Sequence, residues 1–153
     1  MKKLCIALLG IICGSCASNS NEIIRQNPTT LYNPSKYGFT QTIKVPAKGE
    51  YVFVSGQLGS KKEDREFSTN FRTQVKNTIQ NVIYGLEAND VSTEDVVKIT
   101  VLIVDHDNEK LEILTEEFLK VWGEKNPTST LIPVPKLALD GMLIEIDALA
   151  YKK

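Results

Sequence analysis

Two apolar segments near the end of the chain flank a connector that contains turn-forming residues. They cover residues 130–134 and 142–151, and the connector includes Pro135, Asp140 and Gly141. β-Branched and aliphatic residues bounded by Pro and Gly predict two strands joined by a turn. Strand alternation gives the second strand one aliphatic face, formed by Ile144, Ile146, Ala148 and Ala150. The opposite face carries Leu143, Glu145, Asp147 and Leu149. Glu145 therefore lies mid-strand beside apolar neighbours, which a solvated sheet edge would also explain.

Three earlier segments also read as strands. Residues 39–45 and 50–57 alternate loosely around a Pro- and Gly-containing turn at 46–49, and the simplest pairing is a hairpin. Residues 96–104 are almost continuously apolar, which predicts a strand in the centre of a sheet.

Two segments have the three- and four-residue apolar spacing of amphipathic helices. The first has Ser68 as its predicted N-cap and an apolar face of Phe71, Val75, Ile79, Val82, Ile83 and Leu86. The second is capped by Asp107 or Asn108, ends at Gly123, and carries Leu111, Leu114, Phe118, Val121 and Trp122.

The resulting order, β-β-α-β-α-β-β, predicts an α+β domain with both helices on one face of a mixed sheet. The strand at 96–104 is apolar on both faces, yet the chain offers only two helices to cover them. An exposed sheet face of this kind would be a large apolar patch. We therefore expect a homo-oligomer in which the uncovered sheet faces meet.

Length and charge narrow the class of protein. The chain has 153 residues, 42% hydrophobic and 24% charged, which suits one packed domain. A formal net charge of −1 gives no electrostatic reason to expect nucleic acid as a partner. The only histidine, His106, follows Asp105 in a polar loop and is predicted to be solvated. No metal site is expected, because no cluster of His, Cys and carboxylates has convincing ligand spacing.

The first 17 residues have the layout of a secretory signal peptide. Lys2 and Lys3 precede an apolar run at 4–12, and small residues follow. A conventional cut after Ala17 is one outcome, and lipidation of Cys16, directly after Ser15, is the other. Cys13 stands where a lipobox usually has an aliphatic residue. Residues 18–32 are read as a flexible lead-in or tether, and 33–153 as the folded domain. The protein is thus expected to be exported, to the periplasm or to a lipid anchor on a bacterial envelope.

Four segments, taken in order, resemble the reactive intermediate deaminase family, also called the Rid or YjgF family. They are Val54-Ser-Gly-Gln57 after a strand, Gln74 and Asn81-Val82 on the first helix, the strand at 96–101, and the ending Ile144-Glu-Ile-Asp-Ala-Leu-Ala150. The resemblance spans roughly residues 33–152. It implies a chorismate-mutase-like fold and a homotrimer with small-molecule pockets between subunits. It further implies hydrolysis of enamines or imines to carbonyl compounds and ammonia, without a cofactor. The ribonuclease label also attached to this family has little physical support in an acidic chain with one histidine.

The resemblance assigns site residues one by one. Glu145 matches the family carboxylate that assists the attacking water, and Ser55 matches a pocket serine. Phe39 stands where a pocket tyrosine is common. Ser129, within Pro127-Thr-Ser-Thr130, stands where the family has an arginine that holds the substrate carboxylate.

The missing arginine is the main departure from the family pattern. The chain's arginines are Arg25, Arg65 and Arg72, so none lies in the C-terminal half, and Lys136 is expected to be solvated. Charge-assisted hydrogen bonds contribute roughly 1.5–3 kcal/mol each, so losing a bidentate pair weakens carboxylate binding by about 10²-fold or more. The pocket is therefore expected to bind a neutral molecule, to act on an imine without a carboxylate, or to be catalytically silent as an interaction module.

Fatty-acid labelling in a bacterial host separates the two fates of the leader. Radioactive label that is incorporated by the natural chain and lost in Cys16→Ser would establish the lipid anchor. Equal absence of label from both proteins would exclude lipidation and leave the conventional cut.

Overall fold

The computed structural model describes residues 22–61 and 66–153, so the leader and Cys16 lie outside the described residues. The two helices are α1, Phe71–Glu87, and α2, Asn108–Trp122. The six strands are β1, Ile24–Gln26, β2, Thr42–Lys44, β3, Glu50–Leu58, β4, Val96–Val104, β5, Thr128–Val134, and β6, Ile144–Lys152. Neither α1 nor α2 has the length and hydropathy needed to cross a membrane.

The main sheet has four strands in the order β3-β6-β4-β5. The last strand in sequence, β6, lies between β3 and β4 and is antiparallel to both. β5 pairs in parallel with β4 and forms one edge. The α+β class with a mixed sheet is therefore confirmed, whereas the two C-terminal strands, although joined through a turn, are not neighbours.

One face of the sheet packs against both helices. Ile144, Ile146, Ala148 and Ala150 of β6 are all 3% exposed or less, so the predicted alternation is confirmed. They share a core with Ile99, Val101 and Ile103 of β4 and with the apolar faces of α1 and α2. Trp122 belongs to this core, where its ring meets Phe118 edge-on at 4.9 Å.

The opposite face of the sheet, called the open face below, has no helix over it in the described part of the chain. Its β3 positions include Tyr51 and Phe53, whose exposed fractions are 52% and 78%. Register places Leu149 beside Phe53, and Leu102 beside Glu145. Leu102 and Leu149 are only half-buried, so an apolar surface remains to be covered.

The predicted hairpin between residues 39–45 and 50–57 is wrong. β2 covers only Thr42–Lys44 and pairs with β1, while β3 pairs with β6. The backbone before β2 has other partners, because Thr40 N–H donates to Pro127 O and Gln41 N–H donates to the Asn27 side chain. Those bonds hold residues 39–41 against the start of β5, away from β3.

β1 was not predicted, since the sequence pattern assigns it to the flexible lead-in. It pairs with β2 over three residues, Ile24 opposite Lys44 through Gln26 opposite Thr42. Arg25 fixes it to the rest of the domain by donating to the backbone oxygens of Glu94 and Val96, at 2.7 and 3.2 Å. A three-residue strand with one partly buried aliphatic side is too short for a periodicity signal.

A small ion network joins the two helices. Arg72 of α1 contacts Glu116 and Glu117 of α2, each at 2.7 Å, and Lys120 also reaches Glu117 at 2.9 Å. The Glu117 side chain is only 6% exposed. Burial alone would raise its pKa, but the hydrogen bonds from Lys120 and Arg72 outweigh burial, and the net pKa lies below the ordinary 4.5.

Glu117→Gln is expected to lower the melting temperature by a few degrees at pH 7. A carboxylate with a lowered folded-state pKa stabilises above its unfolded pKa, and that contribution disappears as the pH falls through the folded value. The difference between variant and parent should therefore shrink below pH 4.5. Thermal melts from pH 7 to pH 3 measure it. Glu116→Gln is the matched control, since Glu116 meets the same arginine but is 57% exposed. Equal effects of the two variants, or a Glu117→Gln effect independent of pH, would contradict the assignment.

Candidate functional site

Glu145 and Ser55 lie on two adjacent strands of the open face, β6 and β3. Glu145 pairs with Leu58 of β3 on one side and with Leu102 of β4 on the other. The β3 register shifts between Val54 and Gln57, so Ser55 and Gly56 form a bulge there. A Cβ at Gly56 would overlap the Glu145 carboxylate, so the glycine leaves the space that this side chain occupies. Bulges commonly redirect side chains next to functional sites.

Phe39 and Ser129 lie together at a different place, in a cavity of about 400 Å³ beside α2. Ser129 and Leu131 of β5 form one wall, and Leu111 and Phe118 of α2 form another. Segment 31–39 supplies the third wall through three aromatic residues, Tyr32, Tyr37 and Phe39. The structure therefore groups the four predicted site residues into two pairs.

The two pairs face opposite sides of the sheet. Ser129 stands beside Ile99 in β4, a residue fully buried on the helix side. Glu145 stands beside Leu102, three residues further along the same strand. Because side chains alternate along a strand, Ile99 and Leu102 point in opposite directions, and so do Ser129 and Glu145. Within one protomer, the carboxylate cannot reach into the cavity.

The aromatic wall is held by a network of side-chain hydrogen bonds. Asn27 Oδ1 accepts from the Thr40 hydroxyl at 3.1 Å and from the Gln41 N–H at 2.8 Å. Asn27 Nδ2 donates to Asn33 and Ser35, at 3.2 and 3.1 Å. These hydrogen bonds join Asn27 to residues further along the chain and so close residues 27–41 into a loop. Sequence reasoning missed Tyr32 and Tyr37 because the stretch at 27–36 reads only as irregular.

A glycine lets this loop approach α2. Gly38 has φ +78°, a conformation that side-chain-bearing residues rarely adopt, and a Cβ there would lie 3.0 Å from Phe118 Cβ. The loop therefore rests directly on the helix and places Phe39 beside it.

Three lysines, Lys36, Lys110 and Lys136, each have another partner. Lys110 Nζ donates to the backbone oxygens of Val104 and Asp105, at 2.9 and 2.6 Å. Lys36 Nζ lies over the Tyr37 ring, 4.8 Å from its centre, outside the cavity walls. Lys136 is 68% exposed and pairs with Asp140 at 2.8 Å, a contact that raises its pKa. Among residues 22–61 and 66–153, no cationic side chain lines the cavity.

Two amides from the predicted family motifs act as scaffold. Gln74 is fully buried, donates to the backbone oxygens of Ser68 and Gly141, and accepts from Leu143 N–H at 2.9 Å. Asn81 donates to the oxygens of Leu58 and Ser60. α1 thereby fixes the end of β3 and the start of β6, the two strands that carry Ser55 and Glu145.

The described residues offer little other chemistry. No group of three or more His, Cys, Asp or Glu side chains within them could hold a metal ion. His106 differs from its predicted solvated state, since its Nε2 is buried and has no hydrogen-bond partner.

Comparisons with known proteins support the family resemblance. The family model described as Endoribonuclease L-PSP matches residues 33–152. A RutC family protein from Pyrococcus abyssi is 35% identical over 116 residues, which cover 75% of this chain and 87% of that protein.

Solved structures give the same fold. A Rid family protein, YyfB from Yersinia pestis, superposes with a TM-score of 0.79 at 23% identity, covering 84% of this chain and 98% of that one. TdcF from Escherichia coli, solved with bound serine, gives a TM-score of 0.61 at 25% identity, covering 71% and 85% of the two chains. The family match over most of the chain, the RutC relative and these folds lead to one conclusion: the chain belongs to the Rid (YjgF) family, the family of the Endoribonuclease L-PSP model.

Proposed function

We propose that this protein binds a small metabolite in clefts between subunits of a homotrimer and hydrolyses imines or enamines there. The observation that carries the proposal is the position of Glu145. Glu145, which matches the family's carboxylate by sequence resemblance, lies on a sheet face that no described helix covers, beside a glycine that makes room for it.

The chemistry needs one carboxylate and one water. The water oxygen adds to the imine carbon while Glu145 accepts one water proton and passes it to the imine nitrogen, which leaves a hydroxyl and an amine on the same carbon. Transfer of the hydroxyl proton to the nitrogen through the same carboxylate then lets the carbon–nitrogen bond break, which gives a carbonyl compound and ammonia. The overall hydrolysis consumes only water and needs no oxidant, reductant or cofactor.

The opposite orientation of the two residue pairs supports a site between copies. Glu145 and Ser55 belong to the open face, and Phe39 and Ser129 belong to the cavity on the helix side. Only a neighbouring copy could bring such a carboxylate to such a cavity. The exposed Tyr51 and Phe53 give the open face an apolar surface suited to that contact.

A catalytically silent binding or interaction module is the second candidate. Ser129 favours it, because a short hydroxyl cannot form the two parallel hydrogen bonds that a guanidinium makes to a carboxylate. In that case the protein would retain ligands without turning them over.

Hydrolysis of 2-iminopropanoate, released in situ by an amino-acid oxidase and scavenged with semicarbazide, distinguishes the two candidates. The purified protein should accelerate imine loss with a high KM, because the guanidinium contact is missing. Glu145→Gln should lower kcat by about 10²–10⁴-fold, the usual contribution of a positioned acid–base group. Asp147→Asn, on the same face two residues along, is the matched control and should change kcat little. Rates equal to buffer for the natural protein with 2-iminopropanoate would reject the ordinary family activity, and equal rates with an imine that lacks a carboxylate as well would reject the hydrolytic function and favour the silent module.

Sedimentation measures the trimer directly. Phe53→Glu should shift the protein toward the monomer, because burying a phenylalanine contributes about 1.5–3 kcal/mol, equivalent to one to two decades in a dissociation constant. Tyr84→Glu is the control, since Tyr84 is 59% exposed on α1, away from the open face. A stable monomer of the natural chain, or a trimer unaffected by Phe53→Glu, would contradict the proposed assembly.

A further inference from the structure

The cavity beside α2 is built mainly from aromatic and aliphatic groups. Its aromatic wall includes Tyr32 and Phe39, whose rings meet edge-on with centres 6.3 Å apart. Tyr32 and Tyr37 are 61% and 43% exposed, so both rings stand at the rim and still offer free surface. Leu111, Phe118 and Leu131 form the remaining apolar walls. Flat apolar groups pack well against such rings, with edge-on or offset geometry.

The polar groups of the cavity are hydroxyls. Thr115 and Ser129 contribute aliphatic hydroxyls, and the two tyrosines contribute phenolic ones. A hydroxyl can donate one hydrogen bond to a carbonyl or imine and accept others from an N–H group. It supplies no positive charge. A carboxylate placed there would lose water without gaining an ionic partner, an unfavourable exchange in an apolar site.

The walls are also prearranged. Asn27, Asn33 and Ser35 bond to one another inside the loop, and Gln41 Nε2 donates to Tyr32 O at 3.1 Å. A ligand that enters would not have to order this backbone. Prearranged sites retain more of the contact energy as affinity.

We propose that this cavity selects an uncharged ligand with a flat apolar group, whose polar end bonds to the hydroxyls of Ser129 and Thr115. The inference builds on the proposed function and names its substrate class. The hydrolysed compound would be an imine of an aldehyde or ketone that lacks a carboxylate. One water adds, the carbon–nitrogen bond breaks, and an uncharged carbonyl compound and ammonia leave.

Two ligands that differ only in charge test the selection. Phenylacetamide and phenylacetate have the same ring and chain length, and calorimetry or saturation-transfer NMR measures the binding of each. The purified natural protein should bind phenylacetamide about ten-fold more tightly or better, because the anion finds no cationic partner. Tyr32→Ala, at an exposed position, should weaken phenylacetamide binding. Tyr84→Ala, an exposed tyrosine outside the cavity, should leave it unchanged.

A charge introduced at one position should reverse the preference. Ser129→Arg is expected to bind phenylacetate more tightly than phenylacetamide, since a guanidinium then faces the cavity. Lys36→Met removes the lysine that lies over the Tyr37 ring and should leave the ligand order of the natural protein unchanged.

The outcomes separate this inference from the proposed function. Equal or tighter binding of phenylacetate by the natural protein would overturn the inference, and dependence of that binding on Lys36 would identify the cation responsible. Absence of binding by both compounds, together with Glu145-dependent hydrolysis of 2-iminopropanoate, would also overturn it and leave the proposed hydrolysis intact. Preferred binding of phenylacetamide, with no hydrolysis of 2-iminopropanoate or of an imine that lacks a carboxylate, would uphold the cavity's selectivity and reject the hydrolytic function.

Discussion

The two-residue repeat of β6 is the constraint on which the site depends. Ile144, Ile146, Ala148 and Ala150 must lie under the helices, because they complete the core between β3 and β4. A strand that buries one alternate set of residues presents the other set on its opposite side. Glu145 is therefore fixed on the open face by its apolar neighbours, and no local rearrangement could move it to the cavity without exposing the core.

Packing from α1 keeps that strand in register. The side-chain nitrogen and oxygen of the fully buried Gln74 both form hydrogen bonds with backbone groups just before β6. Asn81 forms a hydrogen bond with the backbone at the end of β3. Buried amides are costly when they lack partners, so each specifies one arrangement of the chain around it. Gln74 and Asn81, which resemble family motifs, thus hold the two strands that carry Ser55 and Glu145 from the helix side of the sheet.

Sequence pattern was sufficient where an element is long and has one buried face. α1, α2 and the alternation of β6 carry enough periodic positions to be predicted directly, and β4 is predicted from its nearly continuous apolar run. The pairing of the strands could not be predicted from such periodic positions. Proximity in sequence would allow the short β2 to form a hairpin with β3. Hydrogen bonds from Thr40 to Pro127 and from Gln41 to Asn27 instead hold the residues just before β2 away from β3. Such contacts join residues far apart in sequence and leave no periodic trace.

Only part of the candidate site could be predicted from the sequence, for a related reason. Glu145 and Ser55 could be matched because they sit in strands with a recognisable order, whereas Tyr32 and Tyr37 lie in a loop shaped by asparagine side chains. The loop and Ser129 both shape the cavity. Aromatic rings line its rim, and a serine stands where the family resemblance places an arginine. Both features disfavour an anion and favour a neutral, flat molecule, so the proposed selectivity rests on two features of the chain and not on the missing arginine alone.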